Sequence, residues 1–466
     1  MDKFILSALF IVFTFSSIKG QDRWKIAEDG GIEWTITGMD IPHHDHIEMS
    51  GQYLSAVLRW NINADQSFST ERSLIFPMLR TVPNDTHASL MHRIATDIPS
   101  LLSINGRTIQ TENTESVEIH GALYVVSKCS TQAKNQARSL HDAEIELSAT
   151  IFPCTNHAAL CEIYKVKNIS QKNITLYVPE YEQLFKTLPE KGATGSYFIS
   201  SKINDSGTFV LRPNQEQTFY TIFSANREGE NQIEVDVEME YQKRMNFVQN
   251  DIENALILET PDPTINTEFS FAKLRASESI YKTKGGFMHG PEGESYYAAI
   301  WANDQAEYVN PFFPYLGYEI GNASALNTYQ HFARFMNIDF DPIPSSIITE
   351  GIDIWNGAGD RGDAAMIAYG AAPYALAQGN KGEAEMLWPL IEWCLQYCEK
   401  KINEEGVVTS DSDELEGRFP SGKANLCTSS LHYDALNSAV FLGKELNKNK
   451  KQLQVYKNKQ TICVKA

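Results

Sequence analysis

The feature that most constrains this chain is a change of hydrophobic period near residue 230. Up to that point short apolar and alternating runs recur between turn signals, at 31–36, 53–62, 116–126, 143–152, 160–166, 174–178, 197–200, 208–211 and 218–223. The pairs Asp29-Gly30, Asn84-Asp85 and Asn105-Gly106 punctuate them. Many strands at this spacing predict a large β-sandwich. Beyond it Val237, Tyr241, Met245, Val248, Ile252 and Leu256 recur every three or four residues, the period of a helix. Thr260-Pro261-Asp262-Pro263 ends that stripe, because proline cannot continue a helix. Residues 21–230 are therefore expected as a β-sandwich domain, 231–263 as a linker helix and 264–446 as a helical domain.

In the helical part the chain alternates helix and polar loop. Ile265, Phe269, Ala272, Ala276 and Ile280 form one stripe, stopped by Lys284-Gly285-Gly286. Further helices are expected just after residue 308, over 324–336, from an opening at 360–363 to about 377 despite Pro373, around Leu387–Cys398, and around Leu431–Leu442. Two loops between them are acidic. The first runs Trp301-Ala302-Asn303-Asp304-Gln305-Ala306-Glu307-Tyr308; the second runs Ser410-Asp411-Ser412-Asp413-Glu414-Leu415-Glu416-Gly417-Arg418. Carboxylates beside Trp and Tyr suit a sugar, since acids bind hydroxyls and rings cover an apolar face.

Composition narrows the partners. A net charge of −19 disfavours nucleic acid, whose phosphates need clustered Lys and Arg. Residues 1–20 read as a signal peptide: Lys3 is followed by an apolar run over 4–15, then Ser16, Ser17 and Gly20 precede a cut before Gln21. The expected location is secreted or periplasmic, with no membrane span. Seven cysteines leave at least one thiol unpaired. Cys154 and Cys161 bracket a short hairpin and are candidates to pair, whereas Cys394 and Cys398 read as small core residues. The run His43-His44-Asp45-His46-Ile47-Glu48 holds five potential ligands in close succession. On a strand such neighbours face opposite ways and cannot all converge, so the run is read as a polar loop and no metal is assigned. No cofactor is implied.

This arrangement resembles the six-hairpin glycosidase superfamily, which includes glucoamylases, glycogen-debranching enzymes and bacterial α-L-rhamnosidases. The resemblance implies an (α/α)6 toroid behind the β-sandwich. Ala299-Ile300-Trp301-Ala302-Asn303-Asp304 is similar to a W-x-R-D loop whose Asp grips the terminal sugar, with Asn303 in place of the Arg. Asp360-Arg361-Gly362-Asp363 is similar to the loop that opens the fourth helix and binds sugar. The loop of Asp413, Glu414 and Glu416 corresponds to the place of the general acid. Glycoside hydrolysis needs two carboxyl groups, one to protonate the leaving oxygen and one to activate water or attack carbon. The expected function is a secreted glycoside hydrolase acting on oligo- or polysaccharide.

Candidate catalytic residues are Glu414, Glu416 and Asp413, with Arg418 and Lys423 tuning them. Candidate substrate-binding residues are Trp301, Asp304, Trp355, Asp360, Arg361 and Asp363, together with the same Arg418 and Lys423. Bland readings exist for each: a solvated or calcium-binding acidic loop, packed tryptophans, and acids that cap a helix. Non-catalytic carbohydrate binding is the alternative function, with a polysaccharide lyase behind it. Only about six of the toroid's twelve helices are counted, and residues 447–466 read as a basic tail, with seven Lys and one acid over 444–466. The catalytic domain is therefore expected to be truncated to its first half and its second carboxylate missing. Exposed inner helix faces would then self-associate.

Overall fold

The structure is a computed structural model, and it describes residues 23–131, 143–290, 299–348, 354–355, 357–420 and 422–463. The expected signal peptide lies outside the described residues.

Every strand pair in the sheet-rich region is antiparallel. A nine-stranded sheet carries, among others, Gln110–Ile119, Leu123–Ser130, Glu144–Pro153, Ala159–Asn168 and Glu216–Arg227. A four-stranded sheet consists of His43–Gly51, Leu54–Ile62, Phe68–Arg80 and Ser89–Ile94. The two sheets bury one apolar core, in which Leu58 and Leu74 of the smaller sheet meet Val125, Leu147 and Phe219 of the larger. Alternation along each strand dictates this, since every second side chain points inward.

Several expectations are corrected here. The histidine-rich run is a strand, His43–Gly51, and not a loop. It pairs along its length with Leu54–Ile62, and the His43 ring packs against Trp34 and Trp60. The single strand expected over 116–126 is a hairpin, turned at Gly121 with φ +66°. Cys154 and Cys161 stand with their sulfurs 3.4 Å apart as free thiols.

The helical part begins with α1 (Val237–Asn246), capped by Asp236, which accepts from the Met239 amide. It runs into a π-helical stretch, Phe247–Glu253. Then come α2 (Pro263–Glu278), α3 (Asn310–Leu316), α4 (Glu319–Ala333), α5 (Asp363–Gln378), α6 (Lys381–Lys400), α7 (Leu426–Glu445) and α8 (Lys450–Cys463). Asp262 and Pro263 start α2 by cap and fixed φ, while Asn380 and Asn425 cap α6 and α7. The helices share a second core that includes Phe313, Tyr329, Ile367, Ile391 and Leu436. The supposed basic tail carries α8, whose Leu453 and Tyr456 enter that core. Its lysines lie on the other positions of an amphipathic helix, so charge count alone concealed it.

A buried ionic joint ties the two parts. Arg244 of α1 donates to Glu278 of α2 at 2.5 Å, and to the carbonyls of Gly121 at 2.8 Å and Ser50 at 2.9 Å. Each charge has a partner, the condition under which burying it is tolerable. Among the described residues, no helix is long and apolar enough to cross a membrane.

Candidate active site

The two acidic loops and the start of α5 converge. Trp301 ends a short strand, Ala299–Trp301, and is buried. The chain then coils through a π-helical turn, Asp304–Val309, which lies against α5. That approach needs Gly370, because a Cβ there would sit 2.3 Å from the Ala306 carbonyl oxygen. The turn presents Asp304 and Glu307 on the side of the second acidic loop.

Arg361 is the centre of charge. It is fully buried, and its Nη2 donates to Asp363 Oδ1 at 2.8 Å. The same nitrogen lies 3.4 Å from Asn303 Oδ1, and the guanidinium stands 5.5 Å from the Trp301 ring centroid. On its other side Nη1 reaches the Glu414 carbonyl at 3.4 Å and Glu416 Oε1 at 3.6 Å. Its Nε is buried without a hydrogen-bond partner among the described residues. Asp363 is held in turn by Ser345, whose hydroxyl donates to Oδ2 at 2.9 Å. Burial pushes the Asp363 carboxyl up, against the pull of Arg361.

Asp360 faces the protein. It accepts from the Gly362 amide at 2.9 Å and from the Tyr397 hydroxyl at 2.5 Å, with Lys401 Nζ at 3.7 Å. Its backbone is also stitched to the second acidic loop: the Asp411 amide donates to the Asp360 carbonyl at 2.8 Å, and the Asp360 amide to Asp411 Oδ2 at 3.0 Å. Asp413 turns onto its own loop, accepting from the Leu415 amide at 3.0 Å. Arg418 is exposed and pairs with Glu416 at 3.3 Å. Lys423 is exposed, and its carbonyl accepts from the Ser410 amide at 3.3 Å. Trp355 belongs to a short strand, Ile354–Trp355; its side chain lies outside the described residues. His432 is buried on α7 and burial pushes it down to about 4.

Electrostatics single out two carboxyls of the first loop. Burial pushes Asp304 up, and Glu414 and Glu416 add to this while Arg361 opposes it. Glu307 is pushed up to about 7, first by burial and then by the charge of Glu414. Its Oε1 is buried and has no hydrogen-bond partner among the described residues. The structure thus brings together Trp301, Asp304, Arg361, Asp363, Glu414 and Glu416, and adds Glu307. Sequence reasoning passed over Glu307 although it lies three residues after Asp304. On a helical turn that spacing places both on one face, which was the available signal. A carboxyl that keeps its proton near neutrality, beside others held by a buried guanidinium, can serve acid catalysis.

Among solved structures, the chain is similar to a putative kojibiose phosphorylase from human microbiome, at TM-score 0.52 and 9% identity, over 95% of this chain and 70% of that one. A bacterial glucoamylase complexed with acarbose matches at TM-score 0.44 and 11% identity, over 91% and 68%. A rhamnosidase from Klebsiella oxytoca with rhamnose bound matches at TM-score 0.38 and 10% identity, over 91% and 70%. No family model and no curated protein matches the sequence. The first of these likenesses establishes a common fold, a sheet-rich N-terminal region followed by helices.

Proposed function

We propose that the protein is a secreted glycoside hydrolase whose helices belong to an (α/α)6 toroid, acting on oligo- or polysaccharide. The observation that carries this reading is Glu307: a carboxyl pushed up to about 7, with a buried oxygen lacking a partner among the described residues, next to the charge of Glu414. Glycosidic cleavage needs one protonated and one ionised carboxyl, and mutual repulsion in a partly dry site separates two acids in this way. Glu307 donates the proton to the leaving oxygen, the role the sequence alone pointed to at Glu414. Burial first, and the negative charge of Glu414 second, keep the proton on Glu307. Asp304 binds sugar hydroxyls, the buried Arg361 holds the surrounding carboxylates in place, and Trp301 backs the guanidinium. Asp360 and Asp363 position Arg361 and the second loop.

The test is release of sugar from a panel of aryl glycosides and oligosaccharides, with and without inorganic phosphate. Phosphate is included because one structure of similar fold is that of a putative kojibiose phosphorylase. Turnover that falls by about two to four orders of magnitude in both Glu307→Gln and Glu414→Gln supports the reading. Undiminished turnover in either variant overturns that residue's role. Sugar binding without turnover in the unaltered protein replaces hydrolysis with carbohydrate binding.

A further inference from the structure

The strand Phe68–Arg80 turns positions 68, 70, 72, 74 and 76 to one face. Leu74 and Phe76 enter the core between the sheets, but Thr70 and Arg72 stand where the pattern calls for apolar side chains. Across from them Ser127 interrupts the inward series Leu123, Val125 and Cys129. Glu162, wholly buried, does the same on the strand Ala159–Asn168. Polar residues at inward positions are the informative exception in a core.

Thr70, Arg72 and Ser127 line a cavity of about 390 Å³ between the two sheets, well apart in sequence from the carboxyl cluster. Its volume is in the range of small-molecule sites. Its charges are matched within the protein. Arg72 donates from Nε to Glu162 Oε1 at 2.5 Å and from Nη1 to the Thr96 carbonyl at 3.1 Å. Tyr164 closes the pair, donating to Glu162 Oε2 at 2.8 Å. Asp97 also lines the cavity, and burial pushes its carboxyl up toward the neutral form. The buried Thr70 Oγ1 has no hydrogen-bond partner among the described residues. Val125, Leu147, Ala149 and Ile151 supply an aliphatic wall. An anion would find Arg72 already neutralised by Glu162, and a cation would meet Arg72. What remains is hydroxyl and amide capacity beside an apolar surface.

We propose that this cavity is a second binding site, for a neutral polyhydroxylated molecule of mono- to disaccharide size. The aliphatic wall takes the C–H face of such a molecule, and Thr70 exchanges a hydrogen bond with one of its hydroxyls. The inference stands independently of catalysis at the carboxyl cluster.

Hydrogen exchange of the full chain tests it, with glucose, rhamnose, myo-inositol and maltose as probes at tens of millimolar. At least one probe slows exchange in peptides covering 63–70 and 95–111. Ala149→Phe, which fills the cavity, abolishes that protection and leaves any protection at 301–308 and 410–418 in place. Thr70→Val keeps the shape of the side chain and weakens binding about two- to tenfold. The proposal is overturned if no probe protects those peptides, meaning that the cavity holds water only. It is equally overturned if protection survives in the Ala149→Phe protein, or appears only at 301–308 and 410–418. That last outcome supports the catalytic reading while removing the second site, so the two fail separately.

Discussion

Nε2 of His120 lies 2.9 Å from Oε1 of Glu253, and this contact joins the sheet-rich region to the π-helical stretch before α2. Nδ1 of the same ring reaches Asp29 at 3.0 Å, and the side chain is 6% exposed. Its pKa is pushed up from 6.5 to about 9, chiefly by the hydrogen bond to Glu253 against the cost of burial. A histidine raised on folding contributes stability that is fully present below about 6.5 and is lost as pH climbs through 9. Urea unfolding should therefore show stability falling by about 2–3 kcal/mol between pH 6 and pH 9.5 from this group. His120→Gln should flatten that slope; an unchanged slope would mean that the contact carries no proton.

Glu307, although an acid, gives a pH dependence of the same sign, because its pKa too is raised on folding. Its folded pKa of about 7 lies above the ordinary 4.5, so the group favours folding only while protonated. Its contribution is present below about 4.5 and is lost as pH rises through 7. Glu307→Gln should accordingly be more stable than the parent at pH 8, by about 1–2 kcal/mol after allowance for the part of its side chain that water reaches. The same variant should lose turnover, and the limb of the parent's pH profile that falls above pH 7 should vanish. Greater stability with retained turnover would remove Glu307 from the mechanism.

Arg361 and Asp363 form a pair almost wholly withdrawn from water. Removing one partner leaves the other charged and buried, at about 3–5 kcal/mol. Arg361→Met and Asp363→Asn should each lower the thermal midpoint by many degrees. The double variant Arg361→Met/Asp363→Asn should cost less than the two single changes added together. Additive losses in calorimetry would show that the pair does not act as a unit.

Gly362 precedes α5 at φ +87°, and a Cβ there would lie 2.4 Å from Thr428 Oγ1 on α7. Gly362→Ala meets both penalties, the left-handed backbone at about 1–2 kcal/mol and the displacement of α7. A loss of 2 kcal/mol or more is expected in urea unfolding. Sugar affinity should fall with it, because Arg361 and Asp363 flank the altered residue. A neutral substitution would mean that α7 yields freely at this point.

Much of the architecture was legible where period and caps agree. Val237 through Ile252 and the proline pair that follows marked the joint between the two parts, and Asp363 opens α5 where the sequence placed a helix start. The strand Phe68–Arg80 escaped notice because Pro77 interrupts its pattern. That proline sits where pairing with Ser89–Ile94 shifts register, between Phe76 and Arg80, and such irregularities are where a sheet admits proline. The run His43–Glu48 looked like a loop because its side chains are ionisable, yet pairing with Leu54–Ile62 is a backbone matter that side-chain polarity does not oppose at a half-exposed face. At the site, the acids of both loops were visible by type. Which of them is dry and which is turned onto its own backbone was not, because that depends on Gly370 letting the Asp304–Val309 turn rest on α5.

The stitch between Asp360 and Asp411 has a further consequence. Arg361 is gripped from two sides, by Asn303 and Asp363 on one hand and by the Glu414 carbonyl and Glu416 on the other. The second grip reaches it only through a loop fastened at Asp360, one residue away. Loosening residues 410–418 would remove Glu414 from Glu307 and strip half the ligands from Arg361 in one movement. The part of the Glu307 shift that comes from Glu414 thus reports on how that loop is held.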